Sequence, residues 1–264
     1  MKASKIVIKT EEDIEQLRIS GRLAAQVLEM IGPYVKPGVT TEYLDDICYD
    51  FIVNTLKVKP ANIGYYGYNK TTCISPNEVV CHGIPAANIV LQDGDIINID
   101  VAIIKDGYFG DTSRMYYVGT PKPEAKRLVD TTYEAMCAGI RAVKPGATLG
   151  DVGHAIQTVA QAQGYSIVRE YCGHGIGKVY HEAPSVVHYG QPGQGVVLQE
   201  GMVFTIEPMI NMGKARTKEL KDGWTVVTAD KSLSAQWEHM VAVTATGYEV
   251  LSPWPEGTGQ YAEI

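Results

Sequence analysis

The sequence predicts an α+β protein built from two related halves, with antiparallel strands joined into one central sheet and helices on its back. Three observations carry that expectation. Helical patterns are followed by strand-like runs, and this happens twice. Two short stretches recur at nearly one separation. Carboxylates stand inside or beside the strand-like runs at matched places.

The recurrence comes first. LQDGDIINID begins at residue 91 and LQEGMVFTIE at 198, 107 residues apart. Four of the ten positions are identical, and Asp93/Glu200, Ile96/Val203 and Asp100/Glu207 are chemically close. KPGVT at 36 and KPGAT at 144 stand 108 apart. Two matches at nearly one offset argue for duplication. The 264 residues then form a single domain, with repeat units of roughly 11–120 and 121–251.

Within each unit the elements follow in order. Glu11 to Ile31 carries Ile14, Leu17, Leu23, Val27, Leu28 and Ile31 on one stripe, with Thr10 and Asp13 as a capping pair. After each Pro-Gly turn a second helix is expected, over Thr41–Thr55 and over Leu149–Gln163. The runs GDIINIDVAII and GMVFTIEPMI read as core strands, and SAQWEHMVAVT as a return strand. SPWPEGTGQYAEI has no periodicity and is expected to be a loose tail.

Composition narrows the function. A net charge of −7 disfavours a general nucleic-acid binder. Cys48, Cys73, Cys81, Cys137 and Cys172 form no C-x-x-C pair, which fits reduced thiols in a cytoplasmic protein. No apolar run is long enough to span a membrane, and MKASKIVIKTEED has no signal-peptide h-region. Cys48, Cys137 and Cys172 are expected to be buried apolar residues.

A carboxylate in a core strand is costly unless something positive meets it. Asp100 and Glu207 occupy equivalent repeat positions, each expected to close its strand. Asp111 returns beside Asp100 across the Lys105-Asp106-Gly107 turn, with the register open by one residue if Gly107 forms a bulge. Glu238 lies in the matching return strand. Four converging carboxylates cannot all ionise without cations, so divalent metals are expected there. His174, between glycines in EYCGHGIG, and His82, in VVCHGIP, supply imidazoles; His181 follows seven residues after His174. Asp106 reads as a turn residue, and His154, His188 and His239 as structural.

Asp100, Asp111, His174, Glu207 and Glu238, in this order, resemble the five metal ligands of the type I methionine aminopeptidases. So do NEVVCHGIP, DGDIINIDV, GDTSRM, HEAP, GMVFTIEPM, DGWTVVT and SAQWEHMV, across about Glu11 to Leu251. The spacings between His174, Glu207 and Glu238 leave no room for a type II insertion, so the chain resembles the bacterial short form. The resemblance implies a duplicated pita-bread fold and a catalytic domain that removes N-terminal methionine when the second residue is small. It implies two divalent ions (Mn, Fe or Co, with Zn open) and attack by a water or hydroxide between them. Asp100 would hold one metal, Asp111 and Glu238 would bridge, and His174 and Glu207 would complete the second. Glu207 would also move the proton, while His82 and His181 would contact the peptide. The methionine pocket would be Tyr65, Tyr68, Cys73 and Trp224. A monovalent cation is expected near Asn77, Val79 and Ser234. Two positions depart from the form familiar in the family: Tyr180 where Phe is common, and Asn62 where Cys is expected.

The resemblance further implies nascent polypeptide N-termini as partners, transient ribosome association, a cytoplasmic monomer and no specific nucleic acid. Two rival readings stand beside it: an X-Pro aminopeptidase or dipeptidase of the same fold, and an inactive pita-bread module that binds a partner.

Overall fold

The computed structural model describes residues 5–254. Helix α1, Glu11–Ile31, opens the first half. Its cap is reciprocal: Asp13 N–H donates to Thr10 Oγ1 and Thr10 N–H to Asp13 Oδ2, both at 3.1 Å. Helix α2, Thr41–Asp50, continues into a wider turn over Phe51–Thr55. There Leu56 N–H reaches back five residues to the Phe51 carbonyl at 2.9 Å. In the second half α3 spans Pro123–Arg141 and α4 spans Leu149–Ala162.

Both halves use their recurring stretches in the same way. Gly38 N–H donates to Leu91 O at 2.8 Å, and Gly146 N–H to Leu198 O at 3.0 Å. Thr40 bridges Val90 and Thr148 bridges Val197. The Lys-Pro-Gly turn therefore packs on the Leu-Gln turn twice, and its terminal threonine caps the following helix each time.

The first-half sheet is centred on Ile96–Lys105, which pairs antiparallel with Thr72–Pro76 on one side and Tyr108–Tyr117 on the other. Alternation then sorts the side chains. Ile97, Ile99, Val101 and Ile103 join Val27, Leu28, Ile31, Leu44 and Cys48 in a core under α1 and α2. Asn98, Asp100 and Ala102 face the other way. The hairpin turns at Asp106-Gly107, with φ of 51° and 85°, and Lys105 pairs directly with Tyr108. Two positive-φ residues in a two-residue loop match the strand twist, so no bulge forms.

The second-half sheet runs in the order Tyr248–Val250, His239–Val243, Val203–Ile206, Gly173–Gly175, Glu182–Val186. Its core places Phe204, Ile206, Trp237 and Val241 against Leu128, Met136 and Ile140 of α3 and Val152 and Ile156 of α4. The two sheets meet at a single bridge, Ser113 to Glu238, rather than as one unbroken ladder. Short strands close the join: Val79–Cys81 from the first half pairs with Val226–Thr228 from the second.

Three expectations are corrected. Asp100 lies mid-strand rather than closing it, because the strand continues through Lys105. The run GMVFTIEPMI divides into Val203–Ile206 and Met209–Asn211 around Glu207-Pro208, since proline brings no N–H to a ladder. The expected tail is ordered where it begins. Ser252 is fully buried, and its hydroxyl accepts the Met240 N–H at 3.0 Å. Trp254 packs on Trp237 at 5.0 Å and on His239 at 4.1 Å between ring centroids. Residues 255–264 lie outside the described region.

Candidate metal centre and side-chain pocket

Asp100 and Asp111 come from the first hairpin. Asp100 pairs with Ser113 and Asp111 with Ala102, so both carboxylates project from the face opposite α1 and α2. Glu238 enters at the join between halves, where its N–H donates to Ser113 O at 3.1 Å and its carbonyl accepts from Thr112 Oγ1 at 2.7 Å. His174 lies in the short Gly173–Gly175 strand, beside a register shift. A Cβ at Gly173 would stand 2.4 Å from Thr205 O, and one at Gly175 2.2 Å from Ala183 O. Glycine on both sides therefore lets the neighbouring strands close around the imidazole.

The ligand atoms of Asp111, His174 and Glu238 lie within 4.8 Å of one another. His174 Nε2 is 3.4 Å from Asp111 Oδ2 and 3.7 Å from Glu207 Oε1. His174 Nδ1 lies 3.0 Å from the Gly175 carbonyl, which can only accept. A proton therefore sits on Nδ1, which leaves Nε2 facing the carboxylates as the nitrogen that would coordinate a cation once it is deprotonated.

Glu207 is held by three residues to which the sequence reading gave no site role. Thr205 Oγ1 accepts the His174 N–H at 3.0 Å and donates to Glu207 Oε1 at 2.7 Å. Gln236 Nε2 donates to Glu207 Oε2 at 3.2 Å. His188, expected to be structural, accepts the Glu207 N–H on Nε2 at 3.1 Å. Burial pushes His188 down to about 3, so its ring stays neutral for that role. One signal was available: Thr205 and Gln236 each stand two residues before a carboxylate, the spacing that shares a strand face.

The carboxylates suppress one another. Burial first, then Asp111 and Glu207, push Asp100 well above the usual range. Burial, Asp111 and Glu207 do the same to Glu238. Glu207 is raised to about 7 by burial, with His174 opposing and Asp111 adding. His174 is raised: burial works against its charge, but Asp111 and Glu207 outweigh it. Asp100 Oδ1 is enclosed with no hydrogen-bond partner. These features fit a divalent-cation site: oxygen donors with one imidazole, an orphaned buried oxygen, and charges that require a counter-ion.

The five candidate ligands share one cavity of about 310 Å³ with Tyr65, Tyr68, Cys73, His82, His181 and Trp224. Tyr68 packs edge-on to Trp224 at 4.8 Å, and its hydroxyl donates to Thr72 O at 2.9 Å. Burial lowers the His82 pKa. His181 lies at the open rim, its Nδ1 2.8 Å from the Tyr65 hydroxyl. Loss of hydration around the ring, then the His174 and His82 imidazoles, holds it neutral. Tyr171 and Cys172 also line the cavity, so Cys172 is a half-buried wall residue rather than a core one. Asn77, Val79 and Ser234 are not among the residues that line it, and Asn77 meets Ser234. Ser234 N–H donates to Asn77 O at 2.9 Å, and Ser234 Oγ to Asn211 Oδ1 at 2.8 Å.

A duplicated α+β fold that gathers carboxylates and an imidazole at its join defines a metallopeptidase class, and the chain belongs to metallopeptidase family M24, whose profile matches residues 15–245. The fold is the pita-bread arrangement. The methionine aminopeptidase of Salmonella typhimurium is 58% identical over 247 residues, 94% of each chain. The crystal structure of methionine aminopeptidase from Rickettsia prowazekii superposes with a TM-score of 0.92 at 53% identity, over 94% of this chain and 100% of that one. Prolidase from Pyrococcus furiosus shares the fold alone, with a TM-score of 0.75 at 22% identity over 95% of this chain and 66% of that one. Among the described residues no helix is long and apolar enough to cross a membrane.

Proposed function

We propose that this chain is a methionyl aminopeptidase that removes the first methionine from polypeptides whose second residue is small. The observation that supports it most is the sharing of one cavity by the acidic cluster and the aromatic wall. Asp100, Asp111, His174, Glu207 and Glu238 hold the divalent ions, with Mn, Fe or Co favoured by four carboxylates and one imidazole, and Zn also compatible. Bound there, divalent ions lower the pKa of water and polarise a carbonyl oxygen.

The chain's own residues do the rest. Tyr65, Tyr68, Cys73 and Trp224 receive the first side chain and keep water from it, and a thioether packs well on such rings. Glu207 accepts a proton on its carboxylate and returns it to the leaving amine. His82 and His181, both held neutral, donate hydrogen bonds to the peptide as charge develops on its carbonyl. Tyr65 accepts or donates at His181 Nδ1 and so orients that ring. The proposal extends to nascent chains as substrates in the cytoplasm, transient ribosome contact, a monomeric enzyme and a monovalent cation near Asn77, Val79 and Ser234.

The test is methionine release from Met-Ala-Ser and Met-Leu-Ser by protein stripped with chelator and refilled with Mn²⁺ or Co²⁺. Metal-dependent cleavage of the first peptide and little of the second is the expected result. Cleavage of Ala-Pro instead would transfer the site to the X-Pro reading, and metal binding with no hydrolysis would favour the binding module.

A further inference from the structure

Two buried polar side chains stand among the rings and thiols of the side-chain pocket. Asn62 and Tyr180 are 7% and 8% exposed, and both line the cavity. They are bonded to each other across the two halves: Tyr180 OH donates to Asn62 Oδ1 at 2.8 Å. Asn62 Nδ2 donates in turn to Thr71 O at 3.0 Å, and Thr71 N–H donates to Asp45 Oδ1 on α2 at 3.1 Å. A second-half tyrosine is thereby anchored to a first-half helix.

The anchored ring occupies a central place. Tyr180 stacks on Phe109 at 5.0 Å with 11° between planes, and tilts against Tyr65 at 5.0 Å and His181 at 4.2 Å. Its hydroxyl is spent on Asn62, and Asn62 is spent on Tyr180 and Thr71. Tyr180 therefore turns ring surface, with its hydroxyl paired, toward whatever fills the pocket. An apolar ligand loses nothing against such a wall, whereas an orphaned polar group would demand water or a polar partner.

We propose that Asn62 and Tyr180 are a matched specificity pair: their hydrogen bond fixes the Tyr180 ring and hides its hydroxyl, so that the side-chain subsite selects an unbranched apolar thioether. This rests on the methionine reading above and deepens it. Breaking the pair from either side orphans a different group. Asn62→Leu frees a donor at the pocket, the Tyr180 hydroxyl, and behind it leaves the Thr71 carbonyl without its Asn62 donor. Tyr180→Phe frees an acceptor, Asn62 Oδ1. Methionine sulfoxide has methionine's length and adds an acceptor oxygen, so it distinguishes the two.

The experiment compares Met-Ala-Ser with its sulfoxide, Met(O)-Ala-Ser, in the Mn²⁺-loaded wild type, Asn62→Leu, Tyr180→Phe and the double variant. Each single change should raise KM for Met-Ala-Ser about ten-fold, the lower range for an orphaned buried polar group, with kcat little altered. The preference for methionine over its sulfoxide should fall about ten-fold in Asn62→Leu alone. The double variant should recover most of the loss, since both partners become apolar. Circular dichroism and metal content verify folding. Should Asn62→Leu not fold, Tyr180→Phe, lighter by one oxygen, carries the test through its KM. Losses that simply multiply in the double variant overturn the pair, as does a proportional loss of both peptides in every variant or an unchanged KM in Tyr180→Phe. A wild type that leaves Met-Ala-Ser intact overturns the proposed function and this inference together. Cleavage by the wild type without coupling overturns this inference alone.

Discussion

Asp100 and Asp111 sit on two ten-residue strands paired without interruption from Ile96–Tyr117 to Lys105–Tyr108. His174, Glu207 and Glu238 sit at a register shift, just past a strand end, and between two short strands. A regular ladder puts two carboxylates on one face with no further device. A broken ladder turns side chains to angles that alternation forbids, but it leaves backbone groups to be satisfied elsewhere. Thr205 and His188 meet that need at the His174 and Glu207 N–H groups, Gln236 holds the Glu207 carboxylate, and all three belong to the second half. The duplication thus yields one half that places ligands by pairing and another that places them by side-chain bonds.

The largest effects should ignore this difference. Asp111→Asn and Glu238→Gln each remove a carboxylate from the shared cluster, one from each half. Both should lower kcat/KM by about a thousand-fold or more, since metal chemistry supplies several kcal/mol. Metal content after dialysis should fall in both. A variant that kept its metal and most of its activity would show that the carboxylate it removed is not an essential ligand.

The next effects should separate the halves. Thr205→Val strips one hydroxyl that serves both His174 and Glu207. Metal affinity, read by chelator competition, should weaken about 10- to 100-fold, the usual range for groups that orient ligands. Ser113→Ala in the first half should change affinity little, because Ser113 meets Glu238 through its backbone carbonyl and only Asn98 through its hydroxyl. Equal losses would erase the contrast between ladder and side-chain support.

His188→Leu orphans the Glu207 N–H and should cost about 1–3 kcal/mol of stability. It should also change the acid limb. The folded pKa is held down to about 3, against about 6.5 in an unfolded chain. The unfolded chain takes the proton first, so this histidine's contribution is complete above about 6.5 and is lost as pH falls toward 3. Urea midpoints across that window should fall less steeply in the variant; an unchanged slope would mean that His188 is charged in the folded protein.

How far the sequence reached follows the same division. The hairpin was legible because alternation and an Asp-Gly turn are local signals, and Asp100 and Asp111 could be put side by side from spacing alone. The capped helices were legible for similar reasons. Glu207 and Glu238 could be named through the repeat and the family resemblance. Pro208 already marked a break in the strand, but the bond from the Glu207 N–H to His188 depends on what packs nineteen residues away in sequence. The Asn62–Tyr180 bond joins residues 118 apart. Each was visible only as an oddity.

The smallest contrast lies at the recurring Lys-Pro-Gly turns. Thr40 and Thr148 are equivalent caps, but the third helical residue differs. In α4 it is Asp151, whose carboxylate returns to the Thr148 N–H at 2.7 Å. In α2 it is Tyr43, which only donates its N–H to Thr40. Thr40→Ala should therefore cost about 1 kcal/mol, and Thr148→Ala somewhat more, toward about 2 kcal/mol, because the Thr148 hydroxyl both accepts the Asp151 N–H and donates to the Asp151 carboxylate. The backbone bond from Thr148 and then the bond from its hydroxyl hold the Asp151 carboxyl below its ordinary range, and Thr148→Ala removes the second. Its added stabilisation is thus present above the unfolded value of about 3.9 and is lost as pH falls below it. Unfolding midpoints of the two variants, measured at pH 7 and again near pH 3, should differ at the first and converge at the second. Equal midpoints at pH 7 would mean that the hydroxyl's bond to the returning carboxylate adds nothing, and that the two threonines cap alike despite their sequences.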